Sequence, residues 1–149
     1  MSIALYFIEM SDADFFLPVT GTVMPRFAGI ATFMRLPYLA PDDARAKEVD
    51  IALVGVPWDG GTTNRAGARH GPRQIRDLST LARNVNRASG LSPFELCRCA
   101  DLGDAPVNPV DLMDTLQRVE GFFANLHGLG IAPLVAGGDH LITLPVMRA

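Results

Sequence analysis

Apolar positions along the first part of the chain, residues 1–49, show no sustained period. An apolar patch runs from Ile3 to Ile8, and the stretch Met24 to Pro37 is apolar but irregular. That pattern predicts a coil arm that packs on a body or on a neighbouring subunit. Pro37 and Pro41 bracket a loop, and Asp42 to Lys47 suffices for a turn or two of helix. From Asp50 the pattern sharpens. Ile51 to Val56 is a continuous apolar run ended by Pro57, as in strands covered on both faces of a parallel sheet. A glycine-rich loop from Asp59 to Gly71 leads to Pro72, which suits the first turn of a helix. Ile75, Leu78, Ala82 and Val85 recur at helical spacing and predict a helix over residues 72–86.

The stretch Leu96–Ala100 reads as a second strand, closed by Asp101-Leu-Gly-Asp104. Asn108-Pro109 supplies a cap and a first-turn proline. Leu112, Leu116, Val119, Phe123 and Leu126 form one stripe, and Gly128 and Gly130 end that helix. Ala132–Ala136 is a third strand, Gly137-Gly138-Asp139 a tight turn, and a last helix runs from Leu141 to Ala149. Strands alternating with helices predict a parallel sheet in an α/β fold. Ligands of such sheets bind beyond the carboxyl ends of the strands. Three polar loops lie there: 57–71, 101–108 and 137–140.

Composition narrows the function classes. The chain has 149 residues, 48% hydrophobic and 19% charged, which is the balance of a globular protein. A net charge of -3 argues against nucleic acid as a partner. No apolar run approaches the roughly 20 residues that span a bilayer. The first basic residue is Arg26, so the basic region of a secretion signal is missing. Cys97 and Cys99 stand one residue apart, poor spacing for a disulfide and too few ligands for zinc. The expectation is a cytoplasmic protein with both thiols in a buried strand and neither catalytic.

The most informative short motif is Gly137-Gly138-Asp139-His140. Two glycines turn the backbone sharply after a buried strand and leave His140 at the sheet edge, where an imidazole nitrogen can reach a metal. The same letters also fit a helix start with a solvated histidine. Asp139 either caps the helix or orients the imidazole. In the glycine-rich loop, Asp59, Asn64 and Arg65 stand at the same edge. Arg65, Arg69, Arg73 and Arg76 could bind an anion at the helix start. The loop fits neither dinucleotide nor P-loop spacing, and since most charged residues are solvated or structurally paired, pairing with acids elsewhere in the fold or at a subunit interface is the favoured reading. Asp101 and Asp104 read as a turn held by carboxylate-to-backbone bonds rather than as a metal pair. His127 suits the negative end of its helix, and His70 has no assigned role.

Three segments in order resemble the ureohydrolases, the arginase and agmatinase superfamily. They are Gly55 to Arg76, Ala100 to Asp104, and Leu134 to Pro145; the leading Met24 to Pro37 is similar to the agmatinase and guanidinobutyrase branch. The resemblance implies a three-layer α/β/α sandwich around a parallel sheet. It also implies hydrolysis of a guanidino group to urea and an amine with two manganese ions. His140 would be one metal ligand, with Asp139 supporting it. The superfamily's other ligands come from a later Asp-x-His-x-Asp and a later Asp-x-Asp, neither of which occurs in this sequence. The expectation is therefore an arm over residues 1–49 and the amino-terminal half of an arginase-like domain over 50–149, cut after the third strand. Such a chain holds no complete catalytic set and is inactive alone. Its substrate class would be agmatine or 4-guanidinobutyrate, and its relatives assemble as trimers or hexamers. The alternative is a non-catalytic half-domain that pairs with another chain.

Overall fold

The computed structural model describes residues 14–149. The apolar patch Ile3–Ile8 lies outside the described residues. Three parallel strands form the sheet: β1 (Ile51–Val56), β2 (Cys99–Asp104) and β3 (Ala132–Gly137), in the order β2-β1-β3. The central strand is the most apolar, because its two ladders satisfy the backbone while both faces are covered. β1 pairs with β3 without interruption, from Ile51 with Ala132 to Val56 with Gly137. Its ladder with β2 slips after Leu53, where Gly55 pairs with Asp104.

Alternation along β1 divides the core. Ala52, Val54 and Val56 pack with Ala100, Leu102, Val119, Phe123 and Leu126. Ile51 and Leu53 face a second cluster of Leu36, Phe94 and Cys99. Helix α1 (Gly71–Ser79) sets Pro72 against Gly55, while α2 (Leu112–Gly128) covers the other face together with α3 (Thr143–Arg148). The alternation of strands and helices predicts the parallel α/β class, and the three layers are those that the ureohydrolase resemblance implies.

Several boundaries differ from those expected. The second strand begins at Cys99, not Leu96, and includes Asp101 and Asp104. Asp50 fixes this start by accepting from the Arg98 N–H at 2.8 Å. Leu96 is consequently exposed, and Cys97, half-buried, precedes the strand instead of lying in it. Helix α1 ends at Ser79, well short of residue 86. Ser79 and Thr80 donate their hydroxyls back to the Arg76 and Asp77 carbonyls, competition that weakens a helix. Ile75, Leu78 and Val85, expected to face the core, are exposed.

The cap of α2 is Asp111 rather than Asn108, accepting from the Asp114 N–H at 3.0 Å. Asn108 instead makes a local turn, exchanging bonds with Thr115 and donating to Asp114. The last helix begins as a 3-10 turn, His140–Ile142, before α3. In the arm, Asp42–Lys47 corresponds to a 3-10 turn over Ala44–Glu48, and a second one covers Phe33–Arg35.

Candidate functional site at the carboxyl edge of the sheet

The loops after β1 and β3 meet beyond the carboxyl ends of their strands. Gly138 donates to the Val56 carbonyl at 3.3 Å, and Asp139 donates to the Trp58 carbonyl at 2.8 Å. A Cβ on Gly138 would strike the Trp58 carbonyl and come within 2.6 Å of the Val56 oxygen. The second glycine is thus required by close approach of two backbones. Gly137 is crowded by Ile142, and its carbonyl lies 2.7 Å from a Cβ placed on Gly71. Three chain segments therefore converge with almost no side-chain volume between them.

Asp139 is the staple of this junction. One oxygen accepts from the Gly61 N–H at 2.6 Å and the other from the Leu141 N–H at 2.9 Å. It therefore caps the turn that carries His140 and ties that turn to the β1 loop. His140 is exposed at its start. The strand before it is only partly covered: Ala132 and Leu134 are exposed, contrary to the expectation of a buried strand.

Asp59 is 3% exposed and organises the rest of the β1 loop. It accepts from the Gly67 N–H at 2.6 Å and from Arg69, through both its backbone and its guanidinium. The Arg69 guanidinium foremost, then the Gly67 N–H, hold the Asp59 carboxyl down at about 2. Asn64 and Arg65 are exposed on the segment that Asp59 closes. Trp58 Nε1 and Thr62 Oγ1 are buried with no hydrogen-bond partner among the described residues.

Arg76 is the third organiser. It forms a two-pronged pair with Asp101 at 2.8 and 2.9 Å, bonds Asp104 at 2.6 Å and the Gly103 carbonyl at 2.8 Å, and stacks on the Phe33 ring at 4.1 Å. Burial alone would lower its pKa; the bonds to Asp101 and Asp104 reverse that and raise it. Asp101 also accepts from Gly103 at 2.9 Å, the expected turn bond, at a glycine with φ of 77°. For Arg69 and Arg76, pairing with acids of the fold is what the structure shows. The sequence did not identify which acids they meet, since Asp59 lies ten residues and Asp101 twenty-five residues from its arginine.

Residues 49–149 match the family model of the arginase family. The chain belongs to the arginase family. It is 57% identical over 132 residues to guanidinopropionase of Pseudomonas aeruginosa, covering 89% of this chain and 40% of that protein. It is 45% identical over 138 residues to guanidinobutyrase of the same organism, covering 93% and 43%. The fold matches proclavaminate amidino hydrolase of Streptomyces clavuligerus with a TM-score of 0.76 at 38% identity, over 83% of this chain and 40% of that one. The chain thus spans about 40% of the length of the relatives it matches. For this arginase-family chain the resemblance implies a manganese pair. Among the described residues no three His, Cys, Asp or Glu side chains converge to hold a metal ion. The donors present do not fit two ions: Asp139 has both oxygens on backbone N–H groups, Asp59 is paired with Arg69, and His140 is a lone imidazole.

Proposed function

We propose that this chain is the amino-terminal portion of an amidinohydrolase that cleaves an ω-guanidino carboxylic acid with water, giving urea and an amino acid. The observation that carries this reading is the 57% identity to guanidinopropionase across nearly the whole chain. The loop that presents His140 lies within the matched stretch 49–149. Two relatives named for guanidino acids favour a carboxylate tail over the amine tail of agmatine. His140 would contribute one imidazole to a manganese centre, whose remaining donors are not found among the described residues. Asp139 sets the turn from which His140 projects. Asn64 and Arg65 face the same edge and border the substrate. By itself the chain binds manganese weakly and releases no urea.

The test replaces the matching stretch of the Pseudomonas guanidinopropionase with residues 1–149. With manganese, the fusion should release urea from 3-guanidinopropionate and 4-guanidinobutyrate faster than from agmatine. His140→Ala should lower that rate by about a hundredfold or more, the scale of losing a ligand of a catalytic metal. A folded, manganese-loaded fusion inactive on all three compounds would sink the proposal. Urea release by the 149-residue chain alone would overturn its inactivity.

A further inference from the structure

Away from the guanidino site, four arginines line one cavity of about 350 Å³: Arg26, Arg35, Arg83 and Arg87. Thr20 and Asn84 also border it, and no Asp or Glu does among the described residues. The chain as a whole carries a net charge of -3, so this concentration of cations runs against its overall balance. Topology sets the cavity apart from His140. Helix α1 begins at the carboxyl edge of the sheet and runs back, so Arg83 and Arg87 follow its far end.

Two of the arginines, both in the arm, are held by backbone carbonyls. Arg26 donates to the Leu81 carbonyl at 3.2 Å, and Arg35 donates through Nη2 to the Met24 carbonyl at 2.7 Å. The other terminal nitrogen of Arg35, Nη1, is buried without a hydrogen-bond partner among the described residues. Met34 and Arg35 both adopt left-handed backbone, with φ of 56° and 63°. Such conformations are unfavourable for these side chains and persist where the surroundings impose them. Arg83 and Arg87 have no ion pair among the described residues.

We propose that this cavity binds a small, multiply charged oxyanion of the phosphate class. Guanidinium groups present forked donors that match phosphate oxygens. Their mutual repulsion falls when a polyanion sits among them, and a single carboxylate would leave most of that field uncompensated. The proposal does not depend on which guanidino compound the family site takes.

Titration calorimetry of the 149-residue chain with pyrophosphate, at constant ionic strength in chloride, tests it. A saturable one-to-one heat is expected. The double variant Arg83→Gln/Arg87→Gln removes two exposed donors without touching the arm, and its affinity should fall about tenfold or more. Arg118→Gln/Arg148→Gln, on α2 and α3 and away from the cavity, is the charge-matched control and should bind like the parent. Circular dichroism confirms that each variant keeps its fold. No saturable heat for the parent, or equal affinity in the double variant, would overturn the proposal. So would loss of self-association in the double variant without any pyrophosphate heat, which would assign the arginines to carboxylates of a second copy.

Discussion

Asp59 and Arg76 show how single side chains shape the carboxyl edge. Asp59 closes the β1 loop by accepting from Gly67 and Arg69. Its pKa is depressed to about 2, so its contribution is fully present above the ordinary carboxylate pKa of about 4. That contribution is lost as pH falls through the folded value. The protection factor of the Gly67 amide, its slowing relative to the intrinsic rate at each pH, should fall between about pH 4 and pH 2, and Asp59→Asn should show low protection already at neutral pH. Unchanged protection of Gly67 in Asp59→Asn would contradict this role. Arg76 offsets a carboxylate, Asp101, that is 1% exposed. Arg76→Met leaves that charge buried and unpaired and should cost about 3–5 kcal/mol in urea unfolding. Adding Asp101→Asn to it should restore part of the loss. The sequence showed that acids would meet these arginines but not which acids. Asp59 and Arg69 meet through closure of the β1 loop, and Asp101 and Arg76 through the return of α1 along the sheet; no short-range pattern records either.

At the scale of elements, the Gly-Gly-Asp-His turn was legible because its constraint is local. Gly138 is pressed against two carbonyls and Asp139 caps the residues that follow. Gly138→Ala must move the β1 loop away from β3. It should destabilise the fold by about 2 kcal/mol or more, a size associated with close-packed backbone sites. A melting temperature equal to that of the parent would show that the loops can yield. The start of α2 was misread, since Asn108-Pro109 imitates a helix start so well. Asp111 caps the helix instead, and Asp111→Ala should cost about 1 kcal/mol, whereas Asn108→Ala should not fray the first turn of α2. Amide exchange at Asp114 distinguishes them. The end of α1 was misread for a different reason: the apolar period continues past Ser79, but the hydroxyls of Ser79 and Thr80 compete for the backbone.

For the whole molecule, the parallel α/β class and the site edge followed from the alternation of strands and helices. The uncovered surface did not. β3 pairs only with β1 among the described residues, and Leu134 in its middle is 60% exposed. An open edge with apolar side chains invites another strand. Leu134→Lys should therefore lower both apolar-dye fluorescence and light scattering of the 149-residue chain at high concentration. Equal scattering by parent and variant would remove β3 from the account. The exposed Ile75, Leu78 and Leu81 form a separate apolar surface that this substitution leaves intact.

The strand order β2-β1-β3 also has a kinetic consequence. β1 is the earliest of the three strands in the chain, yet its ladder with β3 joins residues far apart in sequence, Ile51 to Ala132. Closing such distant pairs costs chain entropy before any contact repays it. During synthesis, the central strand is the first of the three to emerge, and it gains its second neighbour only when β3 follows. Until Gly137 leaves the ribosome, one side of the most apolar strand has no native partner. In that interval the nascent chain offers chaperones an edge that the finished sheet conceals.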